Sequence, residues 1–532
     1  MRGKLLTSGL VGGSVVQLAL DEDRFGIKMA GRVNLMRITL DRNKPVPLAR
    51  QIQGHLERLV REGLLPAGAK LPATRELADD LGVNRATVVM AYEELVAAGW
   101  ARARVGQGTF VAERPAAPIE WSELFSRAAQ IIGAEDARRR ALAPPSAAGA
   151  GVISFAGGMP DSALFPTDAF RRALNEVIRR EGEALLQYYP VAGYPPLRRY
   201  LSTYLLRFGL EASPDEILIV NGSQQGFDLI ARTLLDPGDA VAIEQPTYPR
   251  AMQVFRSFGA QLIAVPWDDA GPRADVFERV VERHAPKLFY CQPTCHNPTG
   301  LGMSPETSRR LLAAAARHQV PIVEDGFDGS LYYGPRPPGP LKAHDADGVV
   351  LYIGTFSKIL FPGLRLGWLV APPPVIERLQ AAKQLADLHT SALIQAAVHR
   401  FCERRLLDRH AVRVAREYAR RRELLLASLG QRMPAGTTWT EPGGGFSLFL
   451  TLPDGVTAVG LLPQALERGV AFTPGDAFFL NGGGTGALRL SFSSVPAEQI
   501  DRGVRRLAEA IREAQRRQPA PRALERTAEP VV

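Results

Sequence analysis

Lys358 stands in Gly354-Thr-Phe-Ser-Lys-Ile-Leu-Phe-Pro-Gly-Leu-Arg365, where two hydroxyls, Thr355 and Ser357, precede an amine and a guanidinium follows it. An amine held against an aldehyde condenses with it, and hydroxyls with a planar guanidinium fork are the donors that anchor a phosphate dianion. Directly after the apolar run Glu216-Ile-Leu-Ile-Val220 comes Gly222-Ser223-Gln224-Gln225, the opening of a helix whose free amides suit the same phosphate. Asp325 offers a carboxylate to a ring nitrogen, Asn297 in His296-Asn-Pro-Thr-Gly300 a donor to a phenolic oxygen, and Tyr248 in Glu244-Gln-Pro-Thr-Tyr248 a flat face for stacking. An aldehyde, a phosphate, a pyridine nitrogen and a phenolic oxygen together describe pyridoxal 5'-phosphate, with Lys358 as the Schiff-base and catalytic amine. Alone, Asn-Pro-Thr-Gly is an ordinary turn and Ser-Lys is noise. Their order along one segment singles them out.

Such residues need a frame that delivers them to one place. The runs Glu216–Val220, Ala240–Ile243, Leu288–Tyr290, Val320–Val323 and Val349–Ile353 are short and apolar and alternate with helical stretches. This pattern predicts an α/β domain over residues 152–514 with a mostly parallel sheet covered on both faces. Ligands on such sheets gather beyond the carboxyl ends of the strands, and the candidate residues follow those strands. Residues 113–151 are rich in Ala, Pro and Arg and read as a linker, with one apolar patch from Trp121 to Ile132 able to dock as a short helix.

Ahead of the linker, residues 44–112 carry a second kind of chemistry. Leu77, Ala78, Leu81, Val83, Val88 and Leu95 give the buried side of a helix pair, and Gly82 permits the turn between them. Asn84 is a natural N-cap, which places Arg85 and Thr87 on the first turn of the second helix, the part that enters a major groove. Arg75 opens the preceding helix. In Gly106-Gln-Gly108-Thr-Phe-Val111, a small β-wing, Gly106 and Gly108 allow close approach to a sugar-phosphate chain. Nine Lys/Arg against seven Asp/Glu in residues 44–112 predict a local basic face, with dimerisation supplying the rest of the affinity for double-stranded DNA.

The 532 residues, 46% of them hydrophobic, can bury several cores. A net charge of +9 permits nucleic-acid binding without establishing it. Three cysteines without paired spacing argue against a disulfide framework or a metal site and suit a reducing cytoplasm. The run Leu5–Leu20 is broken by Gly9, Gly12, Gly13 and Gln17 and does not read as a signal peptide, while Met29 and Met36 are alternative starts. No apolar run is long enough to span a membrane. Nine arginines between Arg400 and Arg422 read as a solvated helix face, with a secondary DNA track as the alternative.

From Pro47-Leu48 to Phe110-Val111 the sequence closely resembles the GntR-type winged helix-turn-helix. From Phe155-Ala-Gly-Gly-Met-Pro-Asp161 to Leu488-Arg-Leu-Ser-Phe-Ser493 it resembles fold type I aminotransferases, particularly the kynurenine and 2-aminoadipate branch. That resemblance implies a smaller C-terminal subdomain and an internal aldimine at Lys358. It also implies that Tyr188 reaches the partner subunit's phosphate and that Arg489 grips a substrate α-carboxylate, with Arg250 as a second candidate. Phe327 stands where these proteins usually have tyrosine, and Gly443-Gly-Gly-Phe446 departs from a Gly-Gly-Met-Phe type run. Joined in this order, the two parts resemble the MocR family of bacterial transcriptional regulators. A regulator of that kind is a head-to-tail homodimer that binds an operator and senses an amino compound or pyridoxal 5'-phosphate itself, with little or no turnover. Two other readings stay open: a working aminotransferase with a secondary DNA module, and a cofactor store or scaffold with no operator.

Overall fold

The computed structural model describes residues 38–42, 44–113, 120–142, 151–326, 329–333, 339–480 and 482–517. Residues 5–20, Met29, Met36 and Phe327 therefore lie outside the described residues. By contact density the chain divides between Glu123 and Leu124 into two compact units.

In the first unit, α1 (Leu48–Arg61), α2 (Thr74–Leu81) and α3 (Arg85–Ala97) precede an antiparallel hairpin, β1 (Ala101–Arg104) and β2 (Gly108–Val111). Ile52, Leu56, Leu77, Val88, Ala91 and Leu95 recur at helical spacing and are buried in one core. Ile38 joins them, so this core reaches back before residue 44. Between α2 and α3 the chain turns on Gly82 at φ 61°, a left-handed backbone that a Cβ disfavours. Asn84 then caps α3, its side-chain oxygen accepting from Ala86 N at 2.9 Å. Leu71 N donates to Thr109 O and Val111 N to Ala69 O, which adds a third edge to the hairpin.

After the short α4 (Trp121–Leu124), the stretch read as linker forms a 16-residue helix, α5 (Arg127–Leu142). The second unit continues with β3 (Ile153–Ser154), α6 (Thr167–Leu185) and α7 (Pro195–Leu205). Its main sheet holds β4 (Ile217–Val220), β5 (Ala240–Gln245), β6 (Gln261–Asp268), β7 (Gly271–Pro272), β8 (Leu288–Cys291), β9 (Ile322–Asp325), β10 (Val350–Thr355) and β11 (Gly367–Val370). The order is β4-β11-β10-β9-β8-β5-β6-β7. Only β11 and β7 run against the others, so the sheet is mostly parallel as expected. Every residue of β4, β8 and β10 is buried, the burial that an unbroken apolar run demands of a strand covered on both faces.

Helices α8 (Ser223–Leu234), α9 (Pro249–Ser257), α10 (Ala274–His284), α11 (Pro305–His318) and α12 (Pro373–Asp387) accompany this sheet, and α5 packs along α9. Beyond α13 (Ala392–Glu403) and the long α14 (Leu406–Arg432), the smaller subdomain is built on an antiparallel sheet ordered β12 (Thr438–Trp439), β13 (Ser447–Thr451), β16 (Ala487–Ser491) and β15 (Thr473–Pro474). Helix α15 (Ala458–Glu467) and α16 (Ala497–Arg517) pack together, and β14 (Val470–Ala471) pairs with β3.

Most of the arginine run is a solvated face, with Arg404, Arg405, Arg409, Arg413, Arg416 and Arg420 exposed, and several of its members also make specific contacts. Arg421 is buried and pairs with Asp161 at 2.7 Å and Glu417 at 2.8 Å. Arg400 and Arg404 both pair with Glu176, while Arg413 donates to Leu164 O and Arg422 to Pro442 O. These contacts brace α13 and α14 against the rest of the unit, although Arg404 and Arg413 stay exposed while making them. Among the described residues, no helix is long and apolar enough to cross a membrane.

Candidate functional site

Five parallel strands carry the site at their carboxyl ends, four of them adjacent and β4 set apart by the antiparallel β11. Helix α8, with Ser223 and Gln224 on its first turn, follows β4, and Tyr248 follows β5. Asn297 comes after β8, β9 ends on Asp325, and β10 ends on Thr355 before the turn that holds Ser357 and Lys358. Ser223, Tyr248, Asn297, Asp325, Thr355, Lys358 and Arg489 line one cleft. Residues far apart in sequence meet there because strand order in the sheet is not chain order.

Lys358 Nζ donates to Gly158 O at 3.0 Å. Burial and the positive charge of Arg489 bring its pKa down to about 8, although the Asp325 carboxylate opposes the shift. Asp325 is itself pushed up to about 6 by burial, against a hydrogen bond from Tyr290 OH at 2.9 Å and the charge of Lys358. A lowered lysine carries free base near neutral pH, the form that attacks an aldehyde. Capture of added pyridoxal 5'-phosphate is therefore expected to accelerate with pH up to about 8 and then level off. An ordinary lysine would keep climbing toward about 10.4. Stopped-flow absorbance across a pH series measures this, and a rise that continues well past the lower value would contradict it.

At the other end of the cleft, Gly222 holds φ 81°, and a Cβ there would sit 2.9 Å from Arg365 Nη2. The amino terminus of α8 has no side-chain cap, which leaves its first amides for an anion. Arg365 is exposed and donates to Asn221 O at 3.0 Å. Beneath them Asp387 accepts from Asn221 Nδ2 at 2.5 Å, Gln225 Nε2 at 2.7 Å and the buried Lys383 at 2.8 Å. Thr355 Oγ1 accepts from Ser357 N at 3.1 Å, which fixes the turn before Lys358. The glycine cradle, the uncapped helix and the buried amine and carboxylate fit pyridoxal 5'-phosphate.

Arg489 lies on β16 and reaches the cleft from the second sheet. It donates to Asn297 Oδ1 at 3.0 Å, Ala156 O at 2.8 Å and Thr473 Oγ1 at 3.3 Å, while its Nε is buried without a hydrogen-bond partner. Among the described residues no carboxylate pairs with it, and burial brings its pKa down to about 10. A buried guanidinium in this state is poised for an anionic ligand. Because Asn297 spends its oxygen on Arg489, its amide nitrogen is left to donate to a phenolic oxygen. Arg250 is exposed on the first turn of α9 and does not line the cleft. Tyr188 is 83% exposed, edge-on to His389 at 6.2 Å, and does not line the cleft of its own chain.

Several residues here went unnoticed in the sequence. Buried Glu244 accepts from Gln292 N at 3.0 Å, Gln292 Nε2 at 2.9 Å and Trp267 Nε1 at 2.8 Å, and burial pushes it up to about 8. His296 stacks on Trp267 at 4.0 Å and is brought down to about 3 by burial. This cluster holds the loop that presents Asn297. Tyr290, a polar tip in an otherwise apolar strand, was the one available signal. Among the described residues, no group of His, Cys, Asp or Glu is placed to hold a metal ion.

In the first unit Arg75, Asn84 and Arg85 are exposed and Thr87 is half-buried. Arg85 Nε lies 3.4 Å from Thr74 Oγ1, a contact across the turn that orients the first residues of α3. Gly106 and Gly108 take φ 74° and 111° in the wing, and a Cβ on Gly108 would meet Lys70 Cε at 2.9 Å. Lys70 thus stands beside the wing as a further cation, and Arg104 covers Phe110 at 5.0 Å.

Residues 150–507 match the family described as aminotransferase class I and II, whose members depend on pyridoxal 5'-phosphate, and residues 48–111 match the gntR family of bacterial regulatory proteins. The chain is 39% identical over 399 residues to a 2-aminoadipate transaminase of Thermus thermophilus, covering 74% of this chain and 98% of that one. It is 32% identical over 476 residues to the probable rhizopine catabolism regulatory protein MocR of Rhizobium meliloti, covering 89% and 96%. The crystal structure of a multiple substrate aminotransferase from Thermococcus profundus superposes with a TM-score of 0.71 at 37% identity, over 75% of this chain and all of that one.

Proposed function

Because the chain belongs to the aminotransferase class I and II family and carries a gntR-family reader ahead of that domain, the arrangement of the MocR-type regulators, we infer that it is a pyridoxal 5'-phosphate-dependent, DNA-binding transcriptional regulator. The observation that carries this reading is one chain holding both a capped recognition helix with exposed Arg85 and a cleft where, among the described residues, the partly buried Lys358 and Arg489 have no carboxylate hydrogen-bonded to them.

In that cleft Lys358 would hold the cofactor through its amine, and Asp325 would serve its ring nitrogen. Asn297 would donate to the phenolic oxygen, Tyr248 would offer a stacking face, and Ser223, Gln224, Thr355, Ser357 and Arg365 would hold the phosphate. When bound, the cofactor would supply an aldehyde carbon open to amines. An amino compound then pairs its carboxylate with Arg489, and Arg250 at the rim adds positive charge. The Thermus relative is named for an α-amino acid, which has that chemistry. Ligand binding favours one arrangement of the protein over another, and the reader's affinity for its operator follows the shift in population. The working form is a head-to-tail homodimer in the cytoplasm, which gives the outward Tyr188 a partner subunit's phosphate to meet.

Footprinting of the DNA upstream of this gene, with and without pyridoxal 5'-phosphate, tests the reading. Absence of any protected site would leave an aminotransferase or a cofactor scaffold instead. At the protected site, Arg85→Ala is expected to cost about 1–3 kcal/mol if the side chain reads a base. The affinity of wild type should also fall with added salt as phosphate contacts release counterions. Fluorescence anisotropy measures both effects, and unchanged affinity in a folded variant would remove Arg85 from the contacts.

A further inference from the structure

Thr473–Leu480 joins the ligand end of the cleft to the helix that follows the reader in the chain. At its start, Thr473 Oγ1 accepts from Arg489 Nη2 at 3.3 Å and donates to Ala156 O at 2.9 Å. Further on, the Phe478 ring lies 5.0 Å from the Arg489 guanidinium and is fully buried. Phe478 O accepts from Thr247 N at 2.9 Å, beside the stacking Tyr248. One segment thus touches the carboxylate-seeking arginine twice and, once, the backbone of Thr247, the residue before the stacking ring.

The far end of this segment is gripped from α5 and α9. Leu480 O accepts from Arg138 Nη2 of α5 at 3.1 Å and from Arg256 Nη2 of α9 at 3.0 Å, and Leu480 N donates to Gln245 Oε1 at 3.1 Å. Arg256 also pairs with Glu135 of α5 at 3.4 Å, with both side chains about four-fifths buried. Two guanidinium groups on one carbonyl are tolerable because an oxygen has two lone pairs and Glu135 offsets the charge. Phe479 allows little slack, since a Cβ on either Gly483 or Gly484 would come within 2.5 Å of its ring. A carboxylate that takes Arg489 Nε and Nη2 as a two-pronged pair competes with Ala156 O and Thr473 Oγ1 for Nη2, and a tightly packed segment passes such a shift along rather than absorbing it.

We infer that Thr473–Leu480 is the relay between ligand and reader: occupation of Arg489 alters the seat of Leu480, and α5, anchored there by Arg138 and Glu135, carries the change toward the DNA-binding unit through the chain. The inference rests on the reading that a ligand of this cleft controls DNA binding, and it assigns the residues that couple the two.

Affinity of the full-length protein for the DNA upstream of its own gene is measured with no addition, with pyridoxal 5'-phosphate, and with pyridoxal 5'-phosphate plus each of the twenty amino acids. A wild-type response on the order of tenfold is typical of such coupling. Arg138→Ala is expected to bind cofactor and unliganded DNA within about twofold of wild type, the scale of a surface substitution, and to lose that response. Arg138→Lys, which restores one donor to Leu480 O, should recover part of it. An undiminished response in Arg138→Ala overturns the relay and leaves the regulator intact. A wild type that answers to none of the additions overturns the regulator reading itself, and the relay with it. Hydrogen exchange on the wild type decides the same point without a variant: amides of α5 and of 473–480 should change protection together when ligand is added, and an unaltered α5 would sink the proposal.

Discussion

Lys358→Ala is expected to abolish covalent retention of the cofactor while leaving the fold and the DNA reader in place. Borohydride reduction of wild type should fix pyridoxal 5'-phosphate to the peptide containing Lys358, and reduction of the variant should leave no label after denaturation. The loss is complete rather than partial because, among the described residues, no other amine lines the cleft. Asn297, Gln292 and the guanidinium of Arg489 are not nucleophiles toward an aldehyde at neutral pH. Stability should change little, since the amine removed is buried and donates only to a carbonyl, Gly158 O. Mass spectrometry of the reduced, digested protein is the measurement. A label on a different lysine would falsify the assignment.

Arg489→Ala should weaken binding of carboxylate-bearing amines by about 3–5 kcal/mol, the cost of leaving a buried charge without its partner. Amines without a carboxylate lose nothing by the same change. The comparison of alanine with ethylamine in wild type and variant therefore isolates the interaction, read from the visible spectrum of the cofactor. Arg489→Lys restores the charge but not the two-pronged geometry and should recover only part of the difference. Retained discrimination in the alanine variant would mean that the carboxylate is held elsewhere, with the exposed Arg250 the next residue to test. Cofactor binding should survive, although Asn297 loses the donor to its oxygen.

Much of the site was legible because its donors come from short local motifs. Asn84 caps α3 for a reason contained in two residues of sequence, and the Thr355–Lys358 turn is held by a hydrogen bond spanning two positions. The parallel sheet was legible from runs such as Ile217–Val220, which have no polar face to expose. Other features were hidden because their cause lies far away in the chain. Arg489 meets Asn297 across 192 residues, and Arg138 meets Leu480 across 342. An Ala- and Arg-rich stretch flanked by prolines reads as linker until α9 and Leu480 give its helix something to pack on. The contacts of Arg404 and Arg421 were hidden within a run that is otherwise mostly solvated because their carboxylates, Glu176 and Asp161, lie far away in the chain.

The sequence by itself determined the kinds of chemistry this chain carries, an aldehyde-binding amine with phosphate donors and a capped helix for a major groove, because residue type and local spacing suffice to specify them. Only the tertiary structure decided their state and their connections. Lys358 acquires a pKa of about 8, Arg489 has no carboxylate partner among the described residues, and Leu480 gathers two arginines, because burial, charge and hydrogen bonding act between atoms that the fold brings together from distant parts of the chain.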